Sequence, residues 1–83
     1  MFQADGSGEA GLMPIEVAAE IAGSVFKIET QVGAQVEAED VLVVLESMKM
    51  EIPVEAPSAG RVSEIRVVEG ESIEEGAVLA VLD

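Results

Sequence analysis

Hydrophobic residues recur along this chain with the spacing of β-strands. In the stretch 50–55 an apolar residue occupies every second position and alternates with Glu or Pro, which is the period of a half-buried strand. The runs 41–45 and 77–82 are continuously apolar and predict central strands that are covered on both faces. Because no apolar stripe of helical spacing persists, we expect an all-β fold.

Two further stretches, 23–30 and 60–68, are rich in β-branched residues and also predict strands. In the second of them Val62 and Ile65 have opposite parity, although both are residues that a core would bury. A β-bulge, or burial on both faces of the strand, would explain this break in the alternation.

An internal repeat relates the two halves of the chain. A shift of 37 residues lays 13–46 over 50–83 without a gap, and 14 of the 34 aligned pairs are identical. Nearly all of these are apolar residues or Gly, as a shared core would require, and Gly33 and Gly70 mark turns that need a positive φ. Two units are too few for a solenoid. We therefore expect a flattened barrel or sandwich of about eight short strands in two packed sheets, with an approximate two-fold axis.

Composition sets the size of the domain and removes several classes of function. The 83 residues suffice for one domain, which we place at 14–83, and the Gly-, Ala- and acid-rich residues 1–13 are interpreted as a flexible leader or linker remnant. The chain has no His and no Cys, so it lacks the usual general base and any thiolate nucleophile. No metal site is expected, because the acidic cluster 37–40 lacks the spacing of a calcium loop.

The charge balance bears on partners and location. A net charge of −13 argues against binding to nucleic acid or to anionic membranes, both of which require a basic surface. The apolar runs are too short to span a bilayer, and the first residues lack the basic start and apolar stretch of a signal peptide. We therefore expect a cytoplasmic protein.

The connection between the halves is the most unusual part of the sequence. Only Ser47, Met48 and Lys49 separate the repeats, so the strands on either side should form a tight hairpin. Such a turn normally takes Asn-Gly or Asp-Gly, whereas Met and Lys disfavour a positive φ. The register would also place Glu46 opposite Glu51, and like charges directly opposite are destabilising. Two broken local rules at one place point to a functional site.

The segment from Glu46 to Glu51, with Lys49 between Met48 and Met50, resembles the attachment motif of the biotinyl domain family. The resemblance covers about 14–83, and its one mild departure is Ser47, where the family most often has Ala. It implies a flattened β-barrel of two four-stranded antiparallel sheets with the lysine at a hairpin tip. The repeat leaves no room for the protruding thumb of some carriers, so the thumbless type is expected.

The same resemblance implies a biotin carrier that is not itself an enzyme. Biotin would be joined to Lys49 by a biotin protein ligase and presented to a biotin carboxylase and then to a carboxyltransferase. Met48 and Met50 would contribute to recognition, and Glu46, Ser47 and Glu51 are weaker candidates on the hairpin, with the two glutamates guiding the ligase. The second lysine, Lys27, lies within a predicted strand and is expected to be structural.

Two alternatives remain open at this point. A lipoyl carrier, or a carrier that accepts both groups, would share the fold, but lipoyl domains usually have Asp before the lysine and Ala, Val or Ser after it. An unmodified β interaction module would carry no prosthetic group at all. The acceptor of the carboxyl group is not encoded in these residues.

Overall fold

The computed structural model describes residues 14–83 and contains eight β-strands in that range. The interpretation of 1–13 as a leader falls outside the described residues. The all-β expectation is confirmed, and every pairing between the strands is antiparallel. The strands are β1 (Ile15–Ala18), β2 (Gly23–Ile28), β3 (Gln35–Val36), β4 (Val41–Ser47), β5 (Met50–Glu55), β6 (Gly60–Ile65), β7 (Ser72–Ile73) and β8 (Val78–Leu82).

The strands form two four-stranded sheets whose composition reveals the internal symmetry. The first sheet has the order β1-β8-β6-β3, and the second has the order β5-β4-β2-β7. The 37-residue shift converts one order into the other, as a two-fold axis requires. Each sheet therefore contains two strands from each half, and neither half forms a sheet by itself. The central positions of β4 and β8 confirm what their continuous apolar runs predicted.

Hydrogen bonds outside the strands repeat with the same shift. The amide of Gly33 donates to the carbonyl of Val62 over 2.8 Å, and the amide of Gly70 donates to the carbonyl of Val25 over 2.7 Å. The two glycines have φ of 94° and 93°, which confirms that both turns use the left-handed region. Each half thus closes its turn onto a strand of the other half.

The expected break in alternation is a pair of β-bulges. The register shifts between Val25 and Lys27 on β2, and between Val62 and Glu64 on β6, so Val62 is fully buried while Ile65 still packs against the core. Both strands end earlier than the β-branched stretches suggested, at Ile28 and Ile65. The chain leaves the sheet there for the six-residue connections 29–34 and 66–71, which are equal in length and leave no insertion for a thumb.

The core lies between the sheets and is aliphatic. The largest side chains that are fully buried are Leu42, Leu45, Leu79, Leu82, Val25, Val43 and Val62. No polar or charged residue is buried within 14–83. Four consecutive residues of β8, from Leu79 to Leu82, are buried, whereas Val41 on β4 remains 37% exposed. The prediction that the strand is covered on both faces is therefore correct for β8 and only partly correct for β4.

Candidate functional site

The hairpin between β4 and β5 has the tight turn that the short connection predicted, in a conformation that its two residues disfavour. Ser47 pairs with Met50, so the turn consists of Met48 and Lys49 alone. Their φ angles are 54° and 66°, which is the conformation of a type I′ turn. A positive φ costs an ordinary L-residue roughly 1–2 kcal/mol. The tip is therefore held by the paired strands below it, and the identity of its two residues is not explained by turn stability.

The side chains at the tip are presented to solvent. Met48 is 88% exposed and Met50 is 58% exposed, and Lys49 between them is exposed as well. The cross-strand pairing shows which face of the sheet Ser47 and Met50 occupy. Both lie on the same face as buried Leu45, which is the face toward the opposite sheet. Ser47 is accordingly half-buried and belongs to the base of the hairpin.

Charge at the hairpin is arranged as the sequence predicted. Glu46 lies directly opposite Glu51, and both carboxylates are exposed. In the described part of the chain the salt bridges are made by Arg61 and Arg66, and Lys49 takes part in none of them. The amine at the tip is therefore accessible, and the two neighbouring carboxylates are not neutralised by an arginine.

One positioning residue escaped the sequence analysis. A Cβ atom on Gly23, at the start of β2, would lie 2.6 Å from the carbonyl oxygen of Glu46, so only glycine allows β2 to approach the base of the hairpin this closely. At the equivalent place a Cβ atom on Gly60 would lie 2.9 Å from the carbonyl oxygen of Asp83. The identity of this glycine pair in the repeat was the available signal.

The site supplies a primary amine as its nucleophile. A primary amine can be acylated, but the chain has no His or Cys to accept its proton, and residues 14–83 hold no cluster of acidic side chains suited to a metal ion. Arg66, which is not part of the hairpin, has a shifted pKa: a hydrogen bond from its side chain to Glu64 and the charge of Glu64 raise the pKa of Arg66 above its usual range. No helix of the described range is long and apolar enough to cross a membrane.

The chain is thus a small two-fold β-domain with an accessible lysine at a tight hairpin tip, an arrangement suited to the attachment of a prosthetic group. Comparison with known proteins identifies its family: residues 13–82 match the family described as biotin-requiring enzyme, and the chain belongs to that family. It is 49% identical over 70 residues to the biotinylated protein TB7.3 homolog of Mycobacterium leprae, covering 84% of this chain and 99% of that protein. It is 41% identical over 63 residues to the biotin/lipoyl attachment protein of Bacillus subtilis, covering 76% and 86%.

The solved structures give the same result for the fold. The urea carboxylase of Kluyveromyces lactis matches with a TM-score of 0.82 and 32% identity over 86% of this chain, which is only 6% of that carboxylase. The expected flattened barrel of two four-stranded sheets is thus confirmed, and the chain is a biotin carrier domain homologous to a segment of a carboxylase.

Proposed function

We propose that this domain carries biotin as an amide on the Nζ atom of Lys49. The observation that supports the assignment is the type I′ tip, which presents this amine between two exposed methionines, free of the described salt bridges. The bond forms when Nζ attacks the activated carboxyl group of biotin and the activating group leaves. Because the chain has no His or Cys to accept the amine proton, and neighbouring carboxylates favour the charged amine, we expect a biotin protein ligase to supply the base as well as the activated biotin.

The domain itself acts as a carrier and not as a catalyst. When bound, biotin supplies a ring that accepts a carboxyl group in one active site and releases it in another. The contribution of the chain is to hold the arm at a rigid tip and raise its local concentration at a biotin carboxylase and then at a carboxyltransferase. The unneutralised Glu46 and Glu51 would favour partner surfaces with basic residues, and Met48 would supply an apolar contact.

Charge and composition support the remaining parts of the proposal. A net charge of −13 favours protein partners over nucleic acid and anionic membranes, and the chain contains neither an apolar run of spanning length nor a Cys. We place the domain in the cytoplasm on this basis.

The alternative with a specific observation behind it is a lipoyl group on the same lysine. One of the similar proteins is described as a biotin/lipoyl attachment protein. The two methionines around Lys49 favour biotin, and the intact mass of the protein after expression distinguishes the two groups directly.

The test is labelling by a biotin protein ligase with ATP and biotin. Intact mass should increase by one biotin less water in the wild type and in Lys27→Arg, and should not change in Lys49→Arg. Lys27→Arg is a matched control because Lys27 and Lys49 are the two lysines of the chain. Labelling of folded Lys49→Arg, or its loss in folded Lys27→Arg, would refute the assignment.

A further inference from the structure

A groove runs between the free edges of the two sheets, along β1 and β5. It encloses about 670 Å³, and its floor is aliphatic, formed by Val17, Leu45, Ile52 and Val54. Val17 and Val54 are equivalent in the repeat, so the groove lies on the two-fold axis. Leu45 and Val17 are buried, whereas Ile52 and Val54 are half-buried and supply the accessible apolar surface.

One end of this groove meets the hairpin that carries Lys49. Alternate residues of β5 share a face, so Met50, Ile52 and Val54 form one row that leads from the tip into the groove. On the opposite wall Ile21 lines the same end. It stands two residues before Gly23, whose backbone abuts the base of the hairpin, and it is 37% exposed.

The groove is symmetric in backbone but not in side chains. The repeat partner of Ile21 is Ser58, and neither Ser58 nor Ile15, the partner of Ile52, lines the groove. At the end away from the tip the wall consists of Glu39, Ala56 and Pro57. Apolar surface is thus concentrated at the end beside Lys49.

The character of the groove selects its occupant. Pro53, in the edge strand β5, has no amide to donate, which makes this edge a poor template for an added strand of another protein. Four exposed glutamates, Glu16, Glu20, Glu39 and Glu55, surround the apolar floor and would repel an anionic ligand. An uncharged ring with N–H donors suits both the floor and the carboxylate rim.

We propose that the biotinyl arm on Lys49 folds back over Met50 and rests in this groove between visits to its partners, an inference that depends on the proposed attachment at Lys49. Strand geometry places Ile52, three residues from Lys49, roughly 10 Å away. The lysine side chain and the valeryl chain of biotin together extend roughly 13 Å from Cα to the ring. The ring therefore reaches Ile52 without any movement of the strands, and Ile21 lines the same groove.

The first experiment uses isotope-labelled domain whose mass shows one biotin at Lys49. We expect nuclear Overhauser contacts between the biotin ring protons and the methyl groups of Ile52 and Ile21. We also expect shifts of these methyl signals relative to the unmodified domain. A ring that shows no contact with either residue would overturn the proposal. Because the mass is established beforehand, that result would leave biotin attachment intact, whereas failure to gain mass would refute the attachment itself.

The second experiment measures how fast the attached biotin binds streptavidin. A docked ring is shielded, so Ile21→Ser should raise the association rate at least about twofold, since the rate scales with the fraction of undocked arm. Ser occupies the equivalent position 58, so the loop is expected to tolerate it. Val32→Ser is the control, because Val32 is 61% exposed but lies outside the groove. Equal rates for wild type and both variants would contradict docking at Ile21.

Discussion

The two ends of the barrel share one backbone and differ in charge. At the end formed by β8, Asp83 accepts a hydrogen bond from the Arg61 side chain over 3.2 Å. At the equivalent end of β4, Glu46 lies opposite Ser24 on one side and Glu51 on the other. Asp83 is therefore paired with an arginine, whereas Glu46 beside Lys49 takes part in none of the salt bridges within 14–83. The proposed attachment site thus lies at the end of the barrel whose carboxylates, among the residues that the structure describes, are not paired with an arginine.

The outer faces of the two sheets also differ, in how far their central valines are covered. Val81 on β8 is only 4% exposed, and Arg66 makes salt bridges with Glu16 and Glu64, which lie opposite Val81 on the neighbouring strands. Val44 is the repeat partner of Val81 on the sheet that carries the hairpin, and it is half-buried. The same residue is therefore covered on one sheet and partly exposed on the other, and the residues that lie opposite it on the neighbouring strands differ between the two halves.

The largest expected effect tests whether the two halves contribute equally to the core. Leu42 and Leu79 are repeat partners, and both are fully buried. Leu42→Ala and Leu79→Ala should each lower the free energy of unfolding by about 2–5 kcal/mol, from lost burial and the cavity left behind. Urea unfolding of both variants is the measurement. If one substitution lowered the free energy of unfolding by less than about half as much as the other, the halves would be equivalent in backbone only.

Much of this fold could be predicted because its signals are local and appear twice. Alternation in 50–55 and the apolar runs gave the strands, and opposite parity at Val62 and Ile65 gave the bulge. The repeat gave the symmetry and the turns at Gly33 and Gly70. For the site, the short connection predicted the tip geometry of Met48 and Lys49, which is confirmed, whereas the chemical roles of the hairpin residues stay predictions.

Features that depend on contacts between distant segments were not predictable in this way. The exchange of strands between the sheets, and the approach of Gly23 to Glu46, follow from packing that no local pattern encodes. Glu39 was also missed: it has a φ of 76°, although nothing about a glutamate suggests the left-handed region. Its repeat partner Gly76, with φ of 92°, was the only hint.

The paired turns at Gly33 and Gly70 provide the next test of the comparison. A Cβ atom at either position would meet nothing within 4 Å, so replacement by Ala acts only through the positive φ. Each substitution should lower the free energy of unfolding by about 1 kcal/mol or more, and the double variant should lose about twice that. Denaturant unfolding measures the loss, and ligase labelling of the folded protein should persist. A costly Gly33→Ala beside a neutral Gly70→Ala would contradict the two-fold description.

Glu39 and Gly76 occupy the same turn position with different residues, so substitutions should act in opposite directions. Glu39→Gly relieves the left-handed strain but increases the entropy of the unfolded chain, for a net gain of up to about 1 kcal/mol. Gly76→Ala introduces the strain into an open space and should cost about 1 kcal/mol. Thermal unfolding of both variants resolves the signs. A destabilised Glu39→Gly would mean that the Glu39 side chain contributes more than its backbone strain costs.

The smallest effect on stability concerns the tip itself. Met48 holds a φ of 54°, and Asn tolerates that conformation better at the first position of a type I′ turn, so Met48→Asn should stabilise the domain by about 0.5 kcal/mol. The same change removes an exposed apolar side chain next to Lys49 and should slow labelling by the ligase. Met50→Asn is the contrast, because Met50 lies in β5 and offers no strain to relieve.

Unfolding in urea measures the stability of the Met48→Asn and Met50→Asn variants, and the initial rate of mass increase measures their labelling. If Met48→Asn gained stability and kept its full labelling rate, the methionine would have no role in recognition. Unchanged stability would mean instead that the turn conformation of Met48 carries no cost in this hairpin.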